Sequence, residues 1–257
     1  MNEPWFYAAL LRIFFAAAAL VVPLLFVITP AYGRHVGQSH GRKIDSTLGW
    51  VIMEVPSVVV FLLCVAVSER AVSTACIVFL VMWQTHYVHR CFIYPWRRRQ
   101  HGSERRMAVY VVAAGTAFTC VNAYLNGRYL FAFAPPVQYG AAWLTDPRFV
   151  CGVVLFLTGF AINLHADAIL LALRRAGPNG YGIAYGGLYR WVTCPNYLGE
   201  IIEWTGWAVM TWSLPGLAFA LWTAANLVPR ALSHQRWYHV RFAEYPRERR
   251  AIVPFVL

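Results

Sequence analysis

The chain has 257 residues, 59% of them hydrophobic and only 13% charged, with a mean hydropathy of +0.49 and a net charge of +11. That is too apolar for a water-soluble core and lacks the alternation of a membrane barrel, so an all-α integral membrane bundle is expected. The positive charge suits anionic lipid headgroups or a polyphosphate ligand, and no basic domain stands clear of the apolar segments to bind nucleic acid.

Apolar runs fall near 6–30, 48–67, 71–93, 107–125, 148–171, 198–213 and 215–232, which predicts about seven transmembrane helices. The first begins almost at Met1 without a small-residue cleavage site and reads as a retained span rather than a signal peptide. The sixth is short for the ~20 residues a bilayer needs, which predicts tilt or a non-helical stretch before it. Basic residues concentrate in alternate connections: Arg34, Arg42 and Lys43; Arg97, Arg98, Arg99, Arg105 and Arg106; Arg174, Arg175 and Arg190; and the tail from Arg230 to Arg250. The intervening loops carry only Arg70, Arg128 and Arg148. The positive-inside rule then puts the N-terminus outside and the C-terminus in the cytoplasm. Lys43 is the lone lysine among 22 basic residues, a GC-rich bias that favours a bacterial inner membrane, or the endoplasmic reticulum in a eukaryote. The six cysteines are scattered without a CxxC and read as small buried hydrophobes. With no internal repeat and no long linker, residues 1–257 read as a single domain.

Polar residues inside apolar runs are the functional signal, because an acid in a span costs roughly 2.5–3.5 kcal/mol and faces a protein interior or a water-filled cavity. Asn196, Glu200 and Glu203 repeat at i, i+4 and i+7, a polar stripe that reads as a site wall. Asn163, Asp167 and Arg174 share another helix face, as do Arg230, His234 and Tyr238. Each stripe alone would suit a packed polar interface; three beside basic residues point to one shared pocket. Glu54 lies mid-span and Tyr87 sits within His86-Tyr87-Val88-His89-Arg90. Paired in a dry cavity, a phenol and a carboxyl can polarise a ketone, the phenol donating to its oxygen and the acid orienting the phenol. No Rossmann glycine fingerprint follows a strand, and His86 and His89 have no third ligand in view, so no metal is expected.

Taken together these residues resemble the steroid 5α-reductase family. The resemblance is carried by Gly186-Gly187-Leu188-Tyr189, Asn196-Tyr197-Leu198-Gly199-Glu200-Ile201-Ile202-Glu203-Trp204 and Thr211-Trp212-Ser213-Leu214-Pro215. It is carried also by Glu54-Val55-Pro56-Ser57, Gly115-Thr116-Ala117-Phe118, Asn163-Leu164-His165-Ala166-Asp167 and the ending Ile252-Val253-Pro254-Phe255. It runs from about Tyr32 to the C-terminus. The Asn-Tyr-x-Gly-Glu block alone is shared with membrane sterol reductases and isoprenylcysteine methyltransferases. The resemblance implies NADPH-dependent reduction of the 4,5 double bond of a 3-oxo-Δ4-steroid, with Glu54 and Tyr87 on the 3-keto oxygen and hydride passing to C5. It implies that Asn163, Asp167, Arg174, Tyr181, Asn196, Glu200, Arg230, His234 and Tyr238 hold NADPH, with Tyr32, Arg90, Tyr94 and Arg99 towards its phosphate and adenine end. Trp50, Met53 and Phe118 would line the substrate. Many animal members have Gln where this chain has Met53, which bears on substrate range. A reductase for another lipid enone, an isoprenylcysteine-type methyltransferase and a non-catalytic sterol-binding protein are the alternatives; a ketone-polarising pair argues against methyl transfer.

Overall fold

The computed structural model describes residues 2–27, 41–99, 106–176 and 182–257, with residues 22 and 174–176 described by backbone alone. Its helices are α1 (Glu3–Val27), α2 (Ser46–Ala66), α3 (Thr74–Val88), α4 (Tyr94–Arg99), α5 (Val109–Arg128), α6 (Pro147–Ala176), α7 (Pro195–Thr211) and α8 (Leu214–Arg241). Among the described residues the extended structure is a pair of three-residue strands, β1 (Lys43–Asp45) and β2 (Arg106–Ala108), paired antiparallel with Ile44 opposite Met107, and an isolated parallel bridge between Val192 and Arg250.

Among the described residues four helical stretches can cross a membrane by length and composition: Glu3–Phe26, Ser46–Ala66, Val109–Phe133 and Pro147–Leu173. Helices also form at the other three predicted spans, but each falls short for a physical reason. α7 has 17 residues, below the ~20 that a straight span requires; α3, continued by the helical turns after it, and α8 are long enough but carry Gln84, His86, His89 and Arg90, and Arg230, His234 and Arg236.

The chain divides into two units: residues 1–14, 30–150 and 213–215, and residues 15–29, 151–212 and 216–257. In the first, Asp45 caps α2 by accepting from the backbone N–H groups of Thr47 and Leu48 at 3.0 and 2.9 Å, and Ser73 caps α3 at Cys76. α2 and α5 run in the same direction. Gly49 lies against Val112, Thr116 Oγ1 reaches the carbonyl of Ile52 and Gly127 lies against Cys64, so residue numbers rise together along both helices. α2 and α3 run in opposite directions, with Trp83 bonded to Ser57 and Trp50 to Arg90. α3 continues through a π-helical turn, His89–Ile93, into α4, and α5 ends in a second, Tyr129–Phe133. Such insertions add a residue per turn and re-aim the side chains beyond them.

In the second unit α6 and α7 cross through glycines. A Cβ on Gly159 would collide with the backbone N of Glu203, and one on Gly199 would stand 2.7 Å from the backbone N of Asn163. Gly152 and Gly206 repeat this close approach two turns along, the small-residue contact by which helices pack in a membrane. Phe156, Trp204, Trp207 and Phe219 fill the adjoining core, with the Trp204 and Phe219 rings 4.2 Å apart. The C-terminal segment pairs with the stretch leading into α7: Thr193 N–H donates to Arg250 O at 2.8 Å and Cys194 N–H to Ala251 O at 3.1 Å.

Candidate active site

In the first unit the α2 face carrying Trp50, Glu54 and Ser57 meets the face of α3 and its π turn carrying Trp83, Tyr87 and Arg90. Trp83 Nε1 donates to Ser57 O at 2.8 Å and Trp50 Nε1 to Arg90 O at 3.1 Å. Glu54 lies between the two α2 members of these bonds and Tyr87 between Trp83 and Arg90, so the antiparallel register sets carboxyl and phenol at the same level. Both are buried, at 9% and 4% exposure. The Trp83 and Tyr87 rings are 4.8 Å apart, which packs one face of the phenol.

The π turn that follows α3 brings Arg90 and Tyr94 onto Trp50. The Arg90 guanidinium lies 4.7 Å from the Trp50 ring and 5.5 Å from the Tyr94 ring, and the two rings are 6.1 Å apart. Arg99, at the end of α4, is exposed. Met53 lies flat on Gly115, where any side chain would collide with its Sδ, and its carbonyl accepts from Thr119 Oγ1 at 2.6 Å. Phe118 stacks on Phe14 at 5.6 Å.

In the second unit α6 and α7 bring Asn163, Asp167 and Asn196 together. Asn163 Nδ2 donates to Asn196 O at 3.0 Å, and Asn196 Nδ2 donates to Asp167 Oδ1 at 3.2 Å. Asn163 and Asp167 are buried; Asn196 and Glu200 are half-buried. Glu203, the third member of that stripe, is fully buried at the glycine crossing and stands apart from the half-exposed pair. On α8, Arg230 Nη2 donates to Asn226 Oδ1 at 3.1 Å, and His234 Nε2 meets the Tyr197 hydroxyl at 3.1 Å. Tyr238 is enclosed in an aromatic stack, 5.0 Å from Tyr245 and 5.8 Å from Phe242. Tyr32, Tyr181 and the Arg174 side chain lie outside the described residues.

Two features escape apolar periodicity and family resemblance alike. α5 turns a polar edge towards α2, with Thr116, Thr119, Asn122 and Asn126 at a helical repeat. The first two bond to the carbonyls of Ile52 and Met53, and Asn126 Nδ2 donates to Asn122 Oδ1 at 3.0 Å. The spacing was legible, yet Thr and Asn scattered among Ala and Val do not stand out as charges do. Arg249, otherwise one more basic residue of the tail, is buried. It donates to Ala184 O at 2.9 Å and lies between Tyr185 and Tyr245, 4.9 and 5.2 Å from their rings. Burial pushes the Tyr245 phenol up from its ordinary value, while hydrogen bonds from Thr193 and Arg249 pull it back.

Long apolar helices that bury an acid level with a phenol, and an amide–carboxylate cluster elsewhere, are the parts of a helical enzyme of membrane type. The family model described as 3-oxo-5-alpha-steroid 4-dehydrogenase matches residues 105–257. Human 3-oxo-5-alpha-steroid 4-dehydrogenase 1 is 41% identical over 227 residues, covering 88% of this chain and 85% of that protein. Steroid 5-alpha-reductase DET2 of Arabidopsis thaliana is 35% identical over 259 residues, covering 99% and 98%. The chain belongs to the 3-oxo-5-alpha-steroid 4-dehydrogenase family, the steroid 5α-reductases.

Proposed function

We propose that this protein reduces the 4,5 double bond of a 3-oxo-Δ4-steroid to the 5α-3-oxosteroid, with NADPH as reductant. The observation that carries the reading is the level placement of buried Glu54 and Tyr87 in a chain 41% identical to a 3-oxo-5-alpha-steroid 4-dehydrogenase. The Tyr87 hydroxyl donates a hydrogen bond to the C3 oxygen, and Glu54 orients that donor. Withdrawing density from the carbonyl makes C5 electrophilic and stabilises the enolate that forms, an effect enlarged where water is excluded. C4 then takes a proton. The Trp83 ring beside the phenol and Trp50 one turn before Glu54 shield the pair and supply apolar surface for a flat steroid.

The donor set of the second unit suits a dinucleotide. Asp167 and Glu200 can accept from ribose hydroxyls, Asn163 and Asn196 offer amide donors, and Arg230 with His234 supplies cationic and imidazole donors for phosphate. Bound there, NADPH would supply the hydride delivered to C5. The protein is read as a multi-pass membrane enzyme of seven spans, N-terminus outside and C-terminus cytoplasmic, surrounded by lipid. α3, α7 and α8 complete the count as short or polar spans sheltered by neighbours. The test is product analysis of detergent-purified protein given NADPH and a panel of enones: 5α-reduced 3-oxosteroid is expected. Turnover confined to non-steroid enones would overturn the substrate, and no reduction of any enone would overturn the reading.

A further inference from the structure

A half-open cavity of about 620 Å³ lies beside α6 in the second unit, within the ~300–1,000 Å³ range of ligand sites. Its floor includes Ala161, Ile162 and Ala166, and its rim includes His165, Arg190 and Trp191. The turn at Gly186-Gly187 closes one side. Gly187 has φ +49°, and a Cβ there would stand 2.7 Å from His165 Nε2, so only glycine lets the chain pass so close to the imidazole.

This cavity is distinct from the cofactor residues. Ala161 and His165 are exposed on one side of α6, whereas Asn163 and Asp167 are buried towards α7 on the other, as expected at ~100° per residue. The exposed side continues back along the helix through Leu157 and Val154, 55% and 59% exposed. In a helix apolar enough to cross a membrane, such a stripe meets acyl chains. Counted from Pro147, about twenty residues at ~1.5 Å each span a ~30 Å hydrocarbon layer and end at Ala166. On that count the cavity stands at the membrane–water boundary, within the last turns of the Pro147–Leu173 stretch, where the Trp191 indole is at home. Among the described residues no acidic side chain lines it, whereas His165 and Arg190 do, so its charge favours an anion.

We infer that this cavity is a binding site for one anionic phospholipid. The acyl chain lies along the Val154, Leu157 and Ala161 stripe, and the headgroup phosphate is met by the Arg190 guanidinium with His165 beside it. A basic pocket at the cytoplasmic end of a spanning helix is the chemistry that selects anionic headgroups. The site is independent of the catalytic reading: it needs only a membrane and a phosphate.

The experiment titrates delipidated, detergent-purified full-length protein with phosphatidylglycerol or phosphatidylcholine and counts retained lipid by native mass spectrometry. Phosphatidylglycerol is expected to bind in clear preference. Arg190→Gln should weaken it roughly five-fold, the weight of one basic residue at a membrane surface. Ala161→Trp should fill the floor and weaken it also, with NADPH and steroid affinities unchanged in both variants. If Ala161→Trp does not fold, the exposed Arg190→Gln decides alone. Equal retention of the two lipids, or undiminished phosphatidylglycerol in Arg190→Gln, overturns the proposal. So does competition by glycerol phosphate as strong as by the lipid, which marks a free-phosphate site. Loss of steroid binding in Ala161→Trp with lipid untouched makes the occupant a steroid instead.

Discussion

Trp83 donates its indole N–H to the carbonyl oxygen of Ser57 at 2.8 Å, and that bond sets Tyr87, one turn further along α3, level with Glu54, one turn back along α2. The phenol is thus held by its neighbour's ring and by the helix register, and removing its oxygen leaves both intact. Tyr87→Phe is expected to fold and to bind NADPH as before while turnover falls roughly 10²–10³-fold, the usual loss for one oxyanion donor. Single-turnover kinetics with saturating cofactor read this directly. Glu54→Gln should be milder than Glu54→Leu, because an amide still hydrogen-bonds the phenol. Equal effects would give the carboxyl a packing role only.

The Asn163, Asp167 and Asn196 cluster makes a separable prediction. Asn196→Ala removes the donor to Asp167, leaving a buried carboxylate short of a partner at a cost of about 1–3 kcal/mol. NADPH affinity, measured by titration calorimetry without steroid, is expected to weaken roughly 10–100-fold. Asn163→Ala, which loses only its bond to the Asn196 carbonyl, should lie at the lower end. Unchanged affinity in both would place the cofactor elsewhere.

How much of this was legible in the sequence depends on the reach of the interaction. Helix positions were legible because an apolar run long enough for a bilayer is a local property, and each of the seven runs overlaps a helix among the described residues. The α6 and α7 polar stripes were legible because a 3.6-residue repeat is local too; their meeting at Asn196 was not, since the partners lie 29 and 33 residues away. The same distance hides Arg249, whose carbonyl partner is Ala184, 65 residues earlier. Nor do propensities mark the π turn after Tyr87, a single extra residue without which Arg90 and Tyr94 would not converge on Trp50. Glu203 shows the limit of periodicity: it keeps the spacing of Asn196 and Glu200, yet the glycine crossing buries it completely.

That crossing predicts a steep stability effect. At Gly159 an added Cβ meets backbone of α7, which cannot rotate away as a side chain would, so the helices must separate along their length. Gly159→Ala is expected to cost at least the ~1–3 kcal/mol of core overpacking and to lower the melting temperature in detergent. Gly140→Ala is the control. Its nearest neighbour would be a carbonyl oxygen at 3.7 Å, an ordinary contact, and its melting temperature should barely move.

Two groups that titrate beyond the ends of the spans, Asp146 just before α6 and Tyr245 past α8, bound the stability at either end of the pH scale. Burial raises the Tyr245 phenol, so its contribution is complete below the ordinary value near 10 and is lost as pH rises towards the folded value. Tyr245→Phe should melt lower at neutral pH, having lost the 2.8 Å bond with Thr193, and lose less stability than the parent above pH 10. At the acid end the Arg148 guanidinium holds the Asp146 carboxyl down to about 2, so that pair contributes above about pH 4 and fades as pH falls through 2. Asp146→Asn should therefore differ from the parent at pH 6 and converge with it near pH 2. Melting curves across pH 2–11 read both.

The last prediction is topological. The basic residues of the first, third and fifth connections and of the tail share one side by the positive-inside rule, and the NADPH proposed as reductant is a soluble cofactor drawn from the cytoplasm. The two arguments are independent and require the same arrangement. A reporter fused after Leu257 is expected to be cytoplasmic, and one inserted at the exposed Pro135-Pro136 turn, just past α5, on the opposite face. A hydrophobic steroid needs no aqueous channel and can reach Glu54 and Tyr87 sideways from the bilayer, so substrate supply does not constrain the orientation. A C-terminal reporter found outside would reverse the topology. It would also strand Arg230 and His234 from the cofactor, and the NADPH site would then have to be sought on other residues.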